Sequence, residues 1–160
     1  MQEVRHGDAE RAGAGREEVL KQGEFAMPKQ FVTSANAPTT GFTDLQKPPP
    51  IAQAIRFGNM LFVSGQGPLD PATKTVVEGD IEVQTRRTLD NLLSVLEAGG
   101  ATLANVVNMR VILRDVADFP RFNEVFRGYF EHDRVTRTCV GGTPHRKGVN
   151  VEIDCIAMFD

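Results

Sequence analysis

The sequence predicts an α+β domain in which a mixed sheet of about six strands carries two helices on one face. Two observations lead to this fold class. Six short segments have the composition or the alternating pattern of strands, and two longer segments repeat apolar residues with helical spacing. The segments follow the order β-β-β-α-β-α-β-β. Because a crossover between parallel strands is right-handed, both helices are expected on the same face of the sheet.

Length, charge and composition restrict the class of protein. The chain has 160 residues, which suits one domain with a true core, and its net charge of −3 makes nucleic acid an unlikely partner. No apolar run is long enough to span a bilayer, and no hydrophobic signal-peptide core is present. Cys139 and Cys155 lie in predicted strands, which fits a reducing compartment. We therefore expect a cytoplasmic protein without a membrane partner.

The first part of the chain differs from the remainder. Residues 1–26 are rich in Glu, Arg, Gly and Ala and have few large apolar side chains, so they cannot bury enough surface to order themselves. We predict a disordered N-terminal extension there and a single α+β domain over residues 27–160. Within that domain, Ser34 to Pro50 is rich in proline, threonine and alanine and is expected to form an irregular loop.

Two helices and one of the strands have clear apolar patterns. A helix is predicted from Ile81 to about Ala98, with Asp80 as its N-cap. Asp118 is predicted to cap the second helix, with Pro120 in its first turn. The expected inward-facing residues are Leu89, Leu92, Leu93 and Leu96 in the first helix, Phe119, Phe122, Phe126, Tyr129 and Phe130 in the second, and Val107, Met109, Val111 and Leu113 in the strand between them.

The stretch from Arg137 to Glu152 contains the strongest candidate site residues. Side chains alternate along a strand, so Arg137 and Cys139 share a face, and Glu152 points away from the apolar row formed by its alternating neighbours. This pattern predicts that Arg137 and Glu152 lie on neighbouring strands and on the same side. Arginine can grip a carboxylate through two parallel hydrogen bonds, and a nearby glutamate can move protons or orient a water. An exposed ion pair of little energetic value is the alternative, and pattern alone favours it.

The sheet face opposite the helices is expected to be only half polar. Met60, Phe62 and Ile156 mix there with Asn108, Arg110 and Glu152. A half-apolar open face usually indicates a partner, and a second copy of the chain is the simplest one.

Several motifs together resemble the Rid (YjgF-like) family of reactive intermediate deaminases, over about Ser34 to Met158. The motifs are Asn36-Ala37-Pro38, Gly58-Asn59, Val63-Ser64-Gly65-Gln66-Gly67-Pro68, Gln84, Leu89-Asp90-Asn91, Leu96-Glu97-Ala98-Gly99-Gly100, Asp118-Phe119, Asn123, Arg137-Thr138-Cys139-Val140 and Val151-Glu152-Ile153-Asp154. The resemblance implies a chorismate mutase-like fold, a homotrimer, and active sites in the clefts between subunits. It also implies hydrolysis of enamines and imines such as 2-aminoacrylate to 2-keto acids and ammonia, without a metal or organic cofactor.

The resemblance assigns roles to individual residues. Arg137 occupies the position that binds the substrate carboxylate, and Glu152 the position associated with the hydrolytic water. The predicted substrate-binding residues are Gly65, Cys139, Asn123, Ser64 and Ile51, the last standing where relatives often have an aromatic residue. Cys139 is not expected to be a nucleophile, since no histidine is an obvious partner base. The three histidines are scattered, so no metal site is predicted.

Three alternative functions stay open beside the deaminase of 2-aminoacrylate. The basic turn at His145, Arg146 and Lys147 could favour a dicarboxylic substrate such as 2-aminomuconate, or it could be a plain solvated turn. Some relatives have been described as RNA-directed or translation-directed proteins. A trimer that binds small ligands without converting them is the third alternative.

Overall fold

The computed structural model describes residues 28–38, 50–132 and 134–160. The predicted extension at 1–26 and most of the proline-rich loop lie outside the described residues. The described chain forms six strands and two α-helices in the predicted order. They are β1 (Gln30–Val32), β2 (Ala54–Phe57), β3 (Met60–Gln66), α1 (Ile81–Ala98), β4 (Val106–Leu113), α2 (Phe119–Tyr129), β5 (Thr136–Gly141) and β6 (Val151–Met158).

The strands form one mixed sheet in the order β1-β2-β3-β6-β4-β5. Only β4 and β5 are parallel, and α2 connects them as a crossover; the other neighbours are antiparallel. The last strand, β6, is inserted in the middle of the sheet between β3 and β4. This arrangement confirms the predicted fold class, and it places β4 between β5 and β6.

The core lies between the sheet and the two helices. Helix α1 packs against β3, β6 and α2, and its residues Leu89, Leu92 and Leu96 are fully buried. Burying one leucine contributes roughly 2 kcal/mol of hydrophobic free energy. The apolar row of β6 is buried as predicted: Val149, which precedes the strand, and then Val151, Ile153, Cys155 and Ala157. Asp80 caps α1 as predicted, because its carboxylate accepts a hydrogen bond from the backbone N–H of Val83 at 3.1 Å.

Four inward-facing predictions were wrong or only partly right. Val107 is 41% exposed, whereas Val106 is 5% exposed, because a bulge between Val106 and Asn108 shifts the register of β4 against β6. One extra residue in a strand reverses which side chains face the core. Phe119 is 40% exposed at the first turn of α2, and Leu93 and Tyr129 are only half buried.

The other face of the sheet is open, as predicted. Phe62 and Met158 are exposed there, and Ile156 is half buried between β3 and β4. Arg110 and Asp154 form an ion pair on the same face, with Nε and Oδ2 2.8 Å apart. Within the described residues, no helix combines the length and the apolar character needed to cross a membrane.

Candidate active site

Arg137 lies on the helix side of the sheet. It is in register with the buried Met109 of β4, so its side chain extends beneath α2. Its Nη2 donates a hydrogen bond to Asn123 Oδ1 at 2.8 Å. The guanidinium carbon lies 4.4 Å from the centroid of the Phe126 ring, and Phe122 is a more distant aromatic neighbour at 5.5 Å. An amide oxygen and the aromatic face of α2 therefore fix the guanidinium in place.

The guanidinium opens onto a cleft at the end of α2, which we call the Arg137 cleft. Its lining residues are Asn123, Phe126, Arg127, Phe130, Arg134, Val135 and Arg137. It is open to solvent, and the empty space in the cleft and at its solvent-filled mouth together is about 810 Å³. Arginine has five N–H donors, so the hydrogen bond to Asn123 leaves donors for a ligand. A carboxylate that enters the cleft would find a positioned cation.

Glu152 lies on the open side of the sheet. Its neighbours Val151 and Ile153 are fully buried on the helix side, and it pairs with Ile112 of β4. Its carboxylate lies against Gly65, where a Cβ atom would come within 2.5 Å of Glu152 Oε1. Gly65 belongs to an irregularity of β3 between Val63 and Gln66, which brings the backbone close to the carboxylate.

A small hollow surrounds the Glu152 carboxylate, and we call it the Glu152 hollow. Its lining residues are Gly65, Gly67, Leu69, His145, Arg146, Val149 and Glu152. His145 Nδ1 lies 3.9 Å from Glu152 Oε2, which is ion-pair distance when the imidazole is protonated. The basic turn noted in the sequence therefore contributes its first two residues to the wall of this hollow.

Two buried amides of α1 hold the walls of the Glu152 hollow. Gln84 Nε2 donates to the carbonyl oxygens of Val77 and Gly148, and its Oε1 accepts from the N–H of Asn150. Asn91 Nδ2 donates to the carbonyl oxygens of Gly67 and Leu69, at 3.0 and 2.9 Å. Both residues belong to the sequence motifs described above, but those motifs did not predict that they hold the walls of the hollow. Their spacing of seven on the buried side of a helix was the available signal.

The structure contradicts the prediction that Arg137 and Glu152 share one side on neighbouring strands. β4 separates their strands, and the two side chains point to opposite sides of the sheet. The reason is that β5 lacks a clear apolar alternation, so its pattern does not reveal which face is inward. The long stem of Arg137 lies against the phenylalanines of α2 and occupies a position that an apolar residue would normally take.

The remaining predicted site residues are divided between these places. Asn123 lines the Arg137 cleft, and Gly65 lines the Glu152 hollow. Neither place is lined by the other three predicted residues, Ser64, Ile51 and Cys139. The Ser64 hydroxyl donates to the carbonyl oxygen of Ala52 at 2.7 Å, next to the half-exposed Ile51. This hydrogen bond ties β3 to the segment that precedes β2.

The two cysteines are poor nucleophiles. Cys139 packs against the core, and burial raises the pKa of its thiol, an effect that the charge of Arg137 partly offsets. Burial raises the pKa of Cys155 to about 12. Both shifts favour the protonated thiol, which is a weaker nucleophile than the thiolate. Over the described ranges, no group of three His, Cys, Asp or Glu side chains could hold a metal ion.

Comparison with known proteins gives a consistent result. The family described as endoribonuclease L-PSP matches residues 42–159. A RutC family protein of Pyrococcus horikoshii is 41% identical over 130 residues, which are 81% of this chain and 97% of that protein. A 2-iminobutanoate/2-iminopropanoate deaminase of Dermatophagoides farinae is 30% identical over 133 residues, 83% of this chain and 98% of the relative.

A solved structure supports the same relationship at the level of the fold. The structure is that of YyfA from Yersinia pestis, described as a protein of unknown function of the conserved Rid protein family. It is 32% identical and superposes with a TM-score of 0.74, covering 82% of this chain and 100% of its own. Because the family match spans most of the described chain and the relatives are covered almost completely, this chain belongs to the Rid (YjgF-like) family.

Proposed function

We propose that the protein hydrolyses reactive 2-imino and 2-enamino acids of the 2-aminoacrylate type to 2-keto acids and ammonia. The observation that carries this proposal is the fixed guanidinium of Arg137. Asn123 and Phe126 hold it at the wall of an open cleft, with donors left for a carboxylate. The similarity to an iminobutanoate deaminase supports the same class of substrate.

The proposed site lies between two protomers. Arg137 and Glu152 point to opposite sides of the sheet, so one chain does not direct both toward the same small molecule. A neighbouring protomer can supply the missing group, and the half-apolar open face offers a surface for association. A closed ring of three copies provides one such composite site at each seam. The homotrimer and a cytoplasmic location remain predictions.

The proposed reaction divides the work between the two side chains. Arg137 binds the carboxylate and removes the rotational freedom of the substrate. Water attacks the imine carbon while Glu152 of the neighbouring protomer takes one of its protons. The same carboxyl returns that proton to nitrogen, which gives a neutral carbinolamine. As the carbon–nitrogen bond breaks, Glu152 passes the proton of the new hydroxyl group to the departing nitrogen, so the products are ammonia and a 2-keto acid. An enamine substrate first takes up a proton on carbon to become the imine.

Small-ligand chemistry has more support than an RNA-directed function. The aromatic residues of the Arg137 cleft, Phe126 and Phe130, are largely buried and stack on each other with centroids 4.5 Å apart. Single-stranded nucleic acid needs exposed aromatic faces on which bases can stack. A net charge of −3 also gives RNA little general attraction.

A decay assay tests the proposal. A dehydratase acting on serine generates 2-aminoacrylate, and semicarbazide traps the imine that remains. We expect the protein to accelerate imine decay and keto acid release, and the Glu152→Gln variant to lose turnover while it still binds a 2-keto acid. Identical decay with and without the protein would rule out the deaminase. Equal turnover by Glu152→Gln would show that another group moves the protons. A protein that binds the keto acid but does not accelerate imine decay would have a non-catalytic ligand-binding role.

A further inference from the structure

The Arg137 cleft contains more positive charge than the proposed reaction uses. Arg127, in the last turn of α2, and Arg134, just before β5, line the same cleft as Arg137. A simple imino acid has one carboxylate, and Arg137 alone can bind it. Two further guanidinium groups, each permanently charged, are left without a role in that chemistry.

Among the residues that the structure describes, carboxylates do little to neutralise this charge. No Asp or Glu is among the described residues that line the cleft. Arg127 pairs with Glu124 one helical turn away at 3.2 Å, but both side chains are about two-thirds exposed, at 65% and 67%. Such a surface pair is weak and easily exchanged. Arg134 forms no ion pair with any other described residue. The cleft therefore keeps a positive potential that attracts anions.

The apolar residues of the cleft limit the kind of anion. Phe126 and Phe130 are almost buried and Val135 is half buried, so the three add only a small apolar surface to the lining beside the arginines, too little for a base to stack on. A short hydrocarbon chain with a charged group at each end fits that combination. Inorganic ions and nucleic acid backbones would leave the apolar surface unused.

We propose that the preferred substrates are imines of acidic amino acids, which carry a second carboxylate beyond the reacting carbon. Arg137 binds the carboxylate next to the imine, and Arg127 and Arg134 bind the distal one. This inference rests on the proposed deaminase function and adds a substrate class to it. It depends on different residues from the basic turn at His145 and Arg146, which lies at the Glu152 hollow.

A matched pair of substrates tests the charge preference. Amino-acid oxidases convert glutamate and glutamine to imines that are nearly equal in size and differ in the charge of the distal group. We expect kcat/KM for the glutamate-derived imine to exceed that for the glutamine-derived imine by roughly tenfold, the effect of one charge-assisted hydrogen bond. In the double variant Arg127→Gln/Arg134→Gln, this ratio should fall to about one.

An exposed arginine outside the cleft provides the control. Arg86 lies on the surface of α1 and is not among the cleft residues, so Arg86→Gln removes the same charge without touching the site. We expect it to leave the ratio unchanged. Equal kcat/KM for the two imines in the wild-type protein would overturn the inference and leave the deaminase function standing. A ratio lowered equally by all the variants would do the same, since it would indicate a general charge effect.

Binding of the keto acid products separates this inference from the proposed function. If neither imine is turned over, the deaminase proposal fails, and calorimetry with 2-oxoglutarate and 2-oxoglutaramate still tests the cleft. Tighter binding of 2-oxoglutarate that disappears in the double variant supports the inference. Equal binding contradicts it. Displacement of 2-oxoglutarate by a short single-stranded RNA at lower concentration would instead assign the cleft to nucleic acid.

Discussion

The carboxylate of Glu152 rests on the backbone of Gly65, with no room for a side chain between them. A Cβ atom at residue 65 would lie 2.5 Å from Oε1, 3.1 Å from Cδ and 3.2 Å from Cγ of Glu152. Glycine is therefore needed here for close approach, and the position of the carboxylate depends on it.

The first prediction is that Gly65→Ala displaces the carboxylate and damages activity more than stability. The end of the Glu152 side chain can rotate away from the added methyl group, so we expect a loss of only about 1 kcal/mol in the free energy of unfolding. Deaminase kcat/KM should fall by roughly a hundredfold, within the range of a misplaced acid–base group.

Gly67→Ala is the matched control, because a Cβ there would meet only Val149 Cγ1 at an ordinary distance of 3.9 Å. Urea unfolding and the imine decay assay measure the two effects. Full activity in Gly65→Ala would show that the contact has no catalytic importance.

The second prediction concerns the shape of the Arg137 side chain. Arg137→Lys keeps the charge but loses the planar fork, the stacking on Phe126 and the defined hydrogen bond to Asn123. We expect kcat/KM to fall by about a hundredfold, with the oligomer intact by light scattering. Arg86→Lys, on the surface of α1, should behave like the wild-type protein. A lysine variant with normal kinetics would mean that the carboxylate binds elsewhere.

The third prediction is that Gln84 stabilises the walls of the Glu152 hollow. Gln84→Ala leaves the carbonyls of Val77 and Gly148 and the N–H of Asn150 without their side-chain partner. We expect a loss of about 3 kcal/mol in the free energy of unfolding, since each buried unpaired group costs about 1–3 kcal/mol.

Thr88→Val is the control for a buried polar residue of the same helix. The Thr88 hydroxyl is buried and makes no hydrogen bond with the described residues, so its removal should cost less than about 1 kcal/mol. Equal destabilisation of Gln84→Ala and Thr88→Val would show that the loop contacts of Gln84 contribute nothing specific. Equilibrium unfolding in urea distinguishes these outcomes.

The fold could be predicted well from the sequence because its strongest signals are local and periodic. The leucines of α1 and the alternating residues of β6 report which side faces the core. The bulge at Val106 and Val107 could not be found in this way, since both residues are valine and either could face inward. The exposure of Phe119 at the start of α2 could not be predicted either, because Phe119 has the same helical spacing as the buried aromatic residues that follow it.

The candidate site was predicted less completely for a physical reason. Residue types identified Arg137, Asn123, Gly65 and Glu152, but the side of the sheet reached by Arg137 depends on the pairing of β5 with β4. Strand order is a long-range property that one strand's pattern does not encode. The hydrogen bonds from Gln84 to Gly148 and from Asn91 to Leu69 join segments that are distant in sequence. Their partners therefore also depend on the tertiary structure and could not be predicted from a local pattern.

The fourth prediction uses the phenol of Tyr129, which links the two helices. Burial raises its pKa to about 12, and a hydrogen bond to Asp90 Oδ1 at 2.9 Å adds to the effect. The folded protein therefore holds this proton more tightly than the unfolded chain, in which a tyrosine titrates at about pH 10. The stabilisation is fully present below pH 10 and is lost as the pH rises from 10 to 12.

Tyr129→Phe should be less stable than the wild-type protein at pH 8, and the difference should shrink between pH 10 and 12. Cys155 titrates in the same window, but it is present in both proteins, so its contribution cancels in the difference. Urea unfolding at several pH values checks this expectation. A stability difference that is constant from pH 8 to 11.5 would contradict it.

The most direct test of the account is complementation between two inactive variants. Arg137→Ala and Glu152→Gln are coexpressed so that their subunits mix within one oligomer. If each site takes Arg137 from one protomer and Glu152 from its neighbour, random mixing at equal amounts leaves about one site in four intact, so about a quarter of wild-type activity should return. Mixed oligomers that are no more active than the separate variants would contradict a site shared between protomers.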